Sequence, residues 1–500
     1  MTNDYDVVII GGSLAGRYAA SAAIHLRATV ALVEPKVNYG FIYHHALSEI
    51  GKLSQRLGDA ASFGIHALSA DTLADIYLNG SSPPTAVSSE KCQISVEWQE
   101  AMLWGSGVVS NVQEQLSPTI LAAQGVDVIV GNGQFQSSPP LVFSVSDRLL
   151  RGRTYLLASG SRPAIPDIDG LQATGFVTLS DIWQVLTQTT PPQNWVIIGG
   201  IPQSIELAQT LARLGCQVTL IINRPYILPN IDPETAQLLQ AQLEVEGVRV
   251  LTQTPVTQVR LIDDKKWLQA GDKAIETDEI LVATAQQPNI DSLNLAAVGV
   301  KWHGRRLLVN EKLQTTNHRI YACGDVIGGY EFANIANYEA KIALQNALFF
   351  PRLKVNYQRV PWAMFSQPIL AQVGLTEVQA KRKYKQNEIW ILRQYFKTVA
   401  AAQLRSETTG VCKLIVLQNG EILGASLLGA EAGELINLIA FAISQKIKVN
   451  YLANLSPVYP SFSEILEKIA CAWNQQRLNN NLNLQEFFDS FFQFRRDWNI

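Results

Sequence analysis

Two segments of the chain repeat the same pattern of hydrophobic and polar positions. Each is an apolar, β-branched run that ends in Gly-Gly and leads into a helix-like stretch and a second apolar strand. The runs are VVIIGGSLAG at 7–16 and WVIIGGIPQS at 195–204, and the second strands end at Glu34 and Ile222. Strand, helix and strand in this order form a βαβ unit, so the pattern predicts two domains of the nucleotide-binding type.

The turn of the first unit, GGSLAG at 11–16, matches a dinucleotide fingerprint except at its second glycine position. Gly11 allows the tight turn, Gly16 lets the helix pack closely on the strand, and Ser13 is small enough for a pyrophosphate to approach. The N–H groups of the following helix favour phosphate, and an acid at the end of the second strand binds a ribose hydroxyl. The sequence therefore predicts a nucleotide site at Gly11, Gly12, Ser13, Gly16 and Glu34.

The turn of the second unit departs further from the fingerprint. Ile201 and Ser204 replace two of its glycines, and the next strand ends in Ile222-Asn223 without an acid. A branched side chain at 201 occupies space that a pyrophosphate needs. Two interpretations stay open, a retained fold that no longer binds a nucleotide and a working site. For a working site, the candidate contacts are Gly199, Gly200 and Arg224, the last for a 2′-phosphate, although a lone surface arginine is usually only solvated.

Length and composition narrow the class of protein. At ~100–200 residues per domain, 500 residues with 47% hydrophobic and 17% charged positions predict about three globular domains. A formal net charge of −3 gives no basic surface for nucleic acid. No apolar run reaches the ~18 residues that span a bilayer, and the N-terminus MTNDYD has no signal-peptide pattern. The cysteines are too scattered for a disulfide framework or a zinc site and predict reduced thiols in the cytoplasm; they are Cys92, Cys216, Cys323, Cys412 and Cys471.

Five further segments occur in the order found in one enzyme family. They are GVDVIVGNGQF (125–135), LLASGSRPAIPDIDG (156–170), DEILVATAQQPN (278–289), TTNHRIYACGD (315–325) and VPWAMFSQPILAQVGLTE (360–377). Through these segments the chain, over residues 4–473, resembles the pyridine nucleotide–disulfide oxidoreductases, such as glutathione reductase, dihydrolipoamide dehydrogenase and mercuric reductase.

The resemblance implies an α/β fold with two Rossmann-like dinucleotide-binding domains and a C-terminal α+β dimerisation domain. An FAD-binding domain (1–160 and 288–358) is interrupted by a degenerate NAD(P)-binding-like domain (161–287) and followed by an interface domain (359–473) and a tail (474–500). The resemblance also implies a homodimer with FAD as cofactor, in which Asp325 holds the ribityl chain of the flavin. Further expected contacts to FAD, made mainly through backbone groups, are Gly133, Ser159, Gly160, Gly324 and Ala333.

The redox-active part of the family pattern is altered. The family's loop with a CxxxxC pair is replaced by PKVNYGF at 35–41, which is shorter and contains no cysteine, while IYHHAL at 42–47 matches the I-P-S-K-A-L run that follows the loop. Thiol–disulfide exchange needs a thiolate, so we expect no disulfide reductase activity of the usual family type. Cys323, next to the Gly-Asp of the flavin motif, is expected to be a buried packing thiol.

Two further positions change the expected acid–base groups. The family's lysine beside the flavin becomes His45, and its expected partner Glu206 is kept. A histidine there titrates near neutral pH and is able to carry a proton. The alternative is that His44 and His45 only fill the space of the deleted loop. In the interface domain the H-P-T-x-S-E run becomes YPSFSE at 459–464, so Tyr459 replaces the histidine and Glu464 is retained. A tyrosine side chain, with an unperturbed pKa near ~10, is a hydrogen-bond donor rather than a base at neutral pH.

The last part of the chain extends past the family pattern. Residues 474–483 are polar and predict a linker, and LQEFFDSFFQFRRDWNI at 484–500 predicts an amphipathic helix rich in phenylalanine. Such a helix either lies in a membrane interface or docks on the protein's own surface. Its acidic residues balance its two arginines and leave no cationic face, which favours docking.

These observations predict an FAD-dependent flavoprotein oxidoreductase that passes electrons directly between the flavin and an acceptor. The acceptor is a quinone, a small oxidant or a protein. NAD(P)H is the default donor by fold analogy, which the altered second turn weakens. The alternative is a non-catalytic flavin-binding sensor or scaffold.

Overall fold

The computed structural model describes residues 4–35, 40–63, 96–136, 141–188, 190–304 and 306–498. Residues 36–39, in the segment that replaces the family's cysteine loop, and Cys92 lie outside the described residues. The predictions made for these positions are therefore kept as predictions.

The first stretch of the chain supplies most of one domain. Its helices and strands up to residue 163 are β1 (Tyr5–Ile10), α1 (Leu14–His25), β2 (Val30–Glu34), α2 (Gly40–Gly58), α3 (Trp98–Glu114), α4 (Pro118–Ala123), β3 (Asp127–Val130), β4 (Gly133–Gln136), β5 (Val142–Val145), β6 (Arg148–Leu150), β7 (Gly152–Leu157) and β8 (Ser161–Pro163).

The second stretch forms an inserted domain. Its elements are α5 (Leu171–Thr174), β9 (Val177–Thr178), α6 (Ile182–Leu186), β10 (Asn194–Ile198), α7 (Pro202–Arg213), β11 (Gln217–Ile221), α8 (Pro233–Val245), β12 (Arg249–Leu251), β13 (Val256–Ile262), β14 (Lys265–Ala270), β15 (Lys273–Thr277), β16 (Glu279–Val282) and β17 (Gln286–Pro288).

The remaining residues complete the first domain and form a third. They contain β18 (Trp302–His303), β19 (Arg306–Leu307), β20 (Ile320–Ala322), α9 (Ala333–Leu348), β21 (Trp362–Met364), β22 (Ile369–Gly374), α10 (Glu377–Lys383), β23 (Ile389–Tyr395), α11 (Ala400–Leu404), β24 (Val411–Leu417), β25 (Ile422–Gly429), α12 (Ala432–Ser444), α13 (Val449–Leu452), α14 (Glu464–Asn479) and α15 (Leu482–Asp497).

A five-stranded parallel sheet forms the core of the first domain, in the order β20-β7-β1-β2-β3. Residues 7–10 of its central strand β1 are almost fully buried, as expected for a strand that is covered on both faces. Strand β20 follows the inserted domain along the chain, so the first domain is completed only after the insertion.

The inserted domain repeats this arrangement. Its parallel sheet has the order β12-β11-β10-β16-β9, and a three-stranded antiparallel sheet, β13-β14-β15, accompanies it. In both sheets the strand before the glycine turn, β1 or β10, is central and a helix follows it directly, which is the arrangement of a Rossmann-like unit. The predicted α/β class with two such domains is confirmed.

The third domain is an antiparallel sheet, β21-β22-β25-β24-β23, covered by helices that include α12 and α14. Lys413 on β24 is 2% exposed and joins this domain to the inserted one. Its Nζ lies 2.8 Å from Asp232 Oδ1 and 2.6 Å from Glu234 Oε2, at the start of α8. A buried cation of this kind is tolerated because carboxylates surround it.

The end of the chain differs from the predicted linker. Helix α14 continues to Asn479 through the polar residues, because glutamine, arginine and leucine favour helix, and only residues 480 and 481 separate it from α15. Helix α15 has no buried residue, so the expected docking on the chain's own surface is wrong for this structure. Within the described residues, no helix combines the length and the apolarity needed to cross a membrane.

Candidate functional site

The turn after β1 is built on glycines that no other residue replaces without strain. Gly11 has a φ of +122° and donates its N–H to Val33 O at 2.9 Å. A Cβ at Gly11 would lie 2.1 Å from Ala158 O, and one at Gly16 would lie 1.9 Å from Gly11 O. The turn therefore brings β1, β2, β7 and α1 into direct backbone contact, as the fingerprint predicts.

Ser13, at the second glycine position, is the N-cap of α1. Its hydroxyl donates to Ala158 O at 3.0 Å and accepts from Gly16 N–H at 3.5 Å. The side chain is thus bound within the turn, which is compatible with the predicted approach of a phosphate to the helix N-terminus.

Glu34 closes the far side of the turn. A Cβ at Gly12 would lie 2.2 Å from Glu34 Cγ, so the glycine makes room for this side chain. Glu34 is 5% exposed and its carboxylate pairs with the guanidinium of Arg17, which also donates from Nη1 to Leu116 O at 3.3 Å. Sequence analysis did not find Arg17. The available signal was an arginine directly after the last glycine of the fingerprint.

Two further carboxyl side chains, Asp325 and Glu339, lie at the flavin motif. Ser161 Oγ donates to Asp325 Oδ2 at 3.4 Å, and burial raises the pKa of Asp325 to about 6. Glu339 accepts from Gly324 N–H and from Tyr357 Oη, each at 2.7 Å, and burial raises its pKa to about 7 despite these bonds. Buried carboxyl groups with raised pKa values are typical of functional sites, and these two are suited to hydrogen-bond the hydroxyls of a ligand.

The remaining residues predicted to contact FAD lie in two different settings. Ser159 Oγ donates to Asn289 O at 2.8 Å, and Gly160, with a φ of +68°, accepts from Asn289 N–H at 3.0 Å, so the 159–160 hinge is fastened to the strand that leaves the inserted domain. Gly133 is instead required by packing, since a Cβ there would lie 2.3 Å from the Phe143 ring. Ala333 is exposed at the start of α9, whose N-cap Phe332 gives no side-chain bond.

These features fit an FAD molecule. The glycine cradle leaves room for a pyrophosphate at the start of α1, a buried acid stands at the end of β2, and Asp325 is a partly buried carboxyl that accepts a long hydrogen bond from Ser161. The uncapped start of α9 adds backbone N–H groups. Each of these matches a demand of a flavin dinucleotide.

All three domains meet at Glu206, in the first half of α7. His44 Nε2 lies 2.8 Å from Glu206 Oε2, and Phe365 N–H donates to Glu206 Oε1 at 2.6 Å. Glu206 and His44 are 4% and 6% exposed. Burial acts to raise the pKa of Glu206, but His44, His45 and the Phe365 N–H together hold it below its usual value.

The sequence assigned the partner of Glu206 incorrectly by one residue. His44 makes the contact, while His45 is exposed and packs edge-on against the Phe365 ring, with 5.0 Å between ring centroids. Partial desolvation by the surrounding residues lowers the pKa of His45, against the attraction of Glu206. Both ring nitrogens of His44 are buried without a hydrogen bond to the described residues, so its contact with Glu206 is a close ion-pair approach.

Cys323 is 1% exposed, which confirms the prediction of a buried thiol. Burial raises its pKa well above the usual value, and the nearby carboxylates of Glu339 and Asp325 add to this. A thiol held in the protonated form is a poor nucleophile.

The turn of the inserted domain copies the first turn at its start. Gly199 has a φ of +123°, donates to Ile221 O at 2.9 Å, and would place a Cβ 2.1 Å from Ala283 O. These values match those of Gly11 and Ala158. The backbone of the fingerprint is thus retained here.

The same turn differs where a dinucleotide would be bound. Ile201 caps α7 without a side-chain bond, and Pro202 at the first helical position has no N–H to offer. A Cβ at Gly200 would meet Ile222 Cδ1 at 3.0 Å, so Ile222 stands where Glu34 stands in the first unit. Arg224 is exposed. The sequence patterns did not predict that this helix start lacks a backbone N–H donor. The proline at 202 is the residue that indicates it.

Gln203 links this altered turn to the flavin motif. It is 7% exposed, and its Nε2 donates to Glu331 O at 3.1 Å. Burial raises the pKa of the Glu331 carboxyl to about 7. Sequence analysis did not find either residue; a glutamine in the first turn of a buried helix was the available signal.

Tyr459 and Glu464 have separate surroundings in the single chain. Tyr459 is 76% exposed. Glu464 is 7% exposed and accepts from Ser461 N–H at 3.1 Å, so it stabilises the start of α14. The structure therefore gives Glu464 a local structural contact and leaves Tyr459 accessible.

Comparison with known proteins agrees with this architecture. Residues 5–340 match the pyridine nucleotide-disulphide oxidoreductase family, and residues 360–470 match the dimerisation domain of that family. A mercuric reductase of Staphylococcus aureus is 29% identical over 486 residues, which cover 94% of this chain and 83% of that protein. A dihydrolipoyl dehydrogenase of Bacillus subtilis is 28% identical over 479 residues, with 92% and 97% covered.

A solved structure supports the fold. It is the Cu(II) complex of HOCl-induced flavoprotein disulfide reductase RclA from Escherichia coli, with a TM-score of 0.78, 22% identity, and coverage of 94% of this chain and 100% of that chain. The family is FAD-dependent with NAD(P)H as the usual donor, which confirms FAD as the predicted cofactor.

Proposed function

Because the chain belongs to the pyridine nucleotide-disulphide oxidoreductase family, we propose that it is an FAD-dependent oxidoreductase that works without a redox-active cysteine pair. Electrons pass directly between the flavin and an acceptor, which is a quinone, a small oxidant or a protein. The observation that carries the proposal is an intact FAD cradle in a chain whose 35–41 segment contains no cysteine. The family's thiol chemistry has no thiol at that segment.

In this proposal the first domain holds the cofactor. The start of α1 binds the pyrophosphate at Gly11, Gly12, Ser13 and Gly16, and Glu34 binds a ribose hydroxyl. Asp325 binds the ribityl chain. Backbone groups of the residues around it contribute further contacts: Gly133, Ser159, Gly160, Gly324 and Ala333. When bound, FAD accepts and donates the electrons.

The paired side chains at the junction of the domains provide the acid–base group. Glu206 Oε2 lies 2.8 Å from His44 Nε2, so the carboxylate is placed to stabilise a proton on this imidazole ring. His45 lies beside it on the exposed side. Tyr459 is proposed to reach the site of the partner subunit as a hydrogen-bond donor, with Glu464 supporting its loop.

The dimerisation domain supports a homodimer. We also propose the cytoplasm as its location, on the evidence of the free cysteines among the described residues, Cys216, Cys323, Cys412 and Cys471.

A non-catalytic flavin-binding sensor or scaffold is the second candidate. The changes at the second turn favour it, because Pro202 removes a donor and Ile222 removes the ribose-binding acid. If NAD(P)H does not bind at the second turn, it does not reduce the flavin. A flavin without this reductant is suited to sensing rather than to catalytic turnover.

The two candidates differ in one experiment. The purified protein is expected to show an FAD spectrum, to be reduced anaerobically by dithionite, and to be reoxidised rapidly by a soluble benzoquinone in stopped flow. A matched sample of His44→Ala reports on the proposed acid–base group. Failure of benzoquinone, ferricyanide and hydrogen peroxide alike to reoxidise the bound flavin contradicts the oxidoreductase proposal for quinones and small oxidants and supports the sensor.

A further inference from the structure

The C-terminal helix α15 has an apolar stripe that the described chain does not bury. Five phenylalanines of the helix are between 37% and 59% exposed. They stack along the helix in pairs, Phe487 on Phe491 and Phe488 on Phe492, each with 6.1 Å between ring centroids. Clustered exposed aromatic side chains on one helix face are typical of an interaction site.

The spacing of the stripe is typical of a helix that packs against another helix. Leu484, Phe487, Phe491, Phe494 and Trp498 follow one another at intervals of three, four, three and four residues. This is the a/d pattern of a helical seam, in which each side chain enters a hole on the partner helix. Phe488 and Phe492 flank this seam and widen the apolar face. A helix that lies in a membrane interface usually has a basic polar face as well, and the polar face of α15 carries more acids than arginines.

The charges of α15 also favour a helical partner over a membrane. The acids Glu486 and Asp489 lie in its first half, and Arg495 and Arg496 lie in its last turn. Asp497 follows them, so the segment has a formal net charge of −1, three acids against two arginines, and gives no attraction to an anionic lipid surface.

The same charges select the direction of the pair. If two copies of α15 align antiparallel, the basic end of each lies along the acidic half of the other. A parallel pair would place like charges side by side. An antiparallel pair is also what a two-fold axis perpendicular to the helices produces.

The helix is continuous with the domain that makes dimers in this family. Helix α14 begins inside the matched dimerisation domain and leads through residues 480 and 481 into α15, whose Gln485 Nε2 donates to Leu478 O at 2.8 Å. Helix α14 also packs on α13, where Tyr451 is 62% exposed, and it follows the loop of Val458, which is 80% exposed. Helix α15 is therefore attached directly to the domain that makes dimers in this family.

We propose that α15 pairs antiparallel with α15 of a second copy of this chain, through the seam of Leu484, Phe487, Phe491, Phe494 and Trp498. The pairing lies outside the family's matched segments and adds to the assembly that the dimerisation domain makes. Because the seam has no buried residue in the single chain, its phenylalanines are replaceable without loss of the fold.

Cross-linking tests the contact directly. In the antiparallel pair the centre of one helix faces the centre of the other, whereas the two ends lie far apart. A Ser490→Cys protein treated with a short bis-maleimide is expected to form a covalent dimer, and Leu482→Cys is expected to form several-fold less. The unsubstituted chain measures the background from the native cysteines. Equal yields from both variants, or no dimer from Ser490→Cys, overturn the proposal.

The strength of the contact is measured with a matched pair of variants. Phe487→Ser combined with Phe491→Ser removes the middle of the seam, and Phe350→Ser changes a phenylalanine that is 75% exposed outside it. In sedimentation velocity over a dilution series, the double variant is expected to associate at least tenfold more weakly, and the control to match the parent.

The membrane is the competing occupant. Co-sedimentation of the full chain with phosphatidylglycerol vesicles is expected to be absent. One combined result overturns the proposal and assigns the stripe to a lipid surface. The parent binds these vesicles, the double phenylalanine variant does not, and Ser490→Cys gives no cross-link.

Discussion

His44 Nε2 and Glu206 Oε2 lie 2.8 Å apart and join the first domain to the inserted one. Phe365 N–H, from the third domain, binds the other oxygen of the same carboxylate. One buried carboxylate therefore receives a contact from each of the two other domains. A change in the charge of this pair is expected to alter both the stability of the domain junction and the acid–base group of the proposed site.

Glu206→Gln is expected to lower the free energy of unfolding by on the order of 1–3 kcal/mol near neutral pH, because it removes a buried charged acceptor from His44. The lowered pKa of Glu206 means that its contribution is present above the usual pKa of 4.5 and is lost as the pH falls through the folded-state value. The variant should therefore lose less stability than the parent as the pH falls from about 5 to about 3, the range that begins just above the unfolded-state pKa and extends below it.

Urea unfolding at several pH values measures this difference. Glu421→Gln, at an exposed carboxylate, is the matched control and should follow the parent. An acid dependence of Glu206→Gln that equals the parent's would contradict the role given to the pair.

Gly11→Ala is expected to abolish FAD binding, because its Cβ would lie 2.1 Å from Ala158 O in a turn with a φ of +122°. Gly199→Ala is the matched control, since its Cβ would lie 2.1 Å from Ala283 O at a φ of +123°. Both variants carry the same local strain, but only the first is in the proposed FAD cradle. Flavin absorbance per protein, with circular dichroism to verify folding, should be lost in Gly11→Ala and kept in Gly199→Ala.

The FAD-free protein is expected to lose stability as the pH rises. Burial raises the pKa of Glu339 to about 7, so the stabilising effect of its protonated form is full below 4.5 and is lost as the pH rises through about 7. Glu339→Gln preserves an acceptor for Gly324 N–H and stays neutral. Between pH 5 and pH 8, the free energy of unfolding of this variant should therefore fall by on the order of 1–3 kcal/mol less than that of the parent.

Thermal unfolding of the FAD-free forms at pH 5 and pH 8 checks this expectation. Glu311→Gln, at a carboxylate exposed on the surface, serves as the control. A parent protein equally stable at both pH values would refute the argument.

Sequence patterns predicted the backbone of the site better than its side-chain pairs. The turn at Gly11 follows from local chain geometry, which the glycine spacing records directly. The contact of His44 depends instead on how α2 is rotated, and one residue along a helix is a rotation of about 100°. A shortened segment before the helix left that rotation undetermined.

Long-range pairs were missed for the same reason. Arg17 and Gln203 lie in the first turns of α1 and α7, where the pattern specifies only small and apolar positions. Their partners, Glu34 and Glu331 O, are determined by packing between elements. The spacing of the phenylalanines in the tail likewise predicted an amphipathic helix, but this spacing does not determine which surface covers the apolar face.

Two-electron reduction of the flavin is expected to produce no thiolate–flavin charge-transfer band. The 35–41 segment has no cysteine, and burial keeps the pKa of Cys323 well above its usual value. Anaerobic dithionite titration followed at long wavelength measures this. Cys323→Ala should give the same spectrum as the parent, and a band that disappears in this variant would show that the thiol lies at the flavin.

Reduction by NADH or NADPH is expected to be poor. Ile201 places a branched side chain where the fingerprint has a glycine, Pro202 removes one helix N–H, and Ile222 replaces the acid that holds a ribose. Each loss weakens binding by about 1–3 kcal/mol, so together they reduce affinity by orders of magnitude. If one nucleotide binds, NADPH is the better candidate, because exposed Arg224 is available to a 2′-phosphate.

Stopped-flow reduction of the flavin by each nucleotide measures this, with dithionite as the positive control. Restoring the fingerprint through Ile201→Gly, Pro202→Ala and Ile222→Glu should increase the rate with NADH, since it returns the backbone donor, the open space and the ribose acid. Ser204→Gly alone should have a small effect, because Ser204 Oγ is bound within the turn to Ile201 O at 2.7 Å. Rapid stoichiometric reduction of the unaltered protein by micromolar NADH would show that the isoleucines and the proline do not block the site.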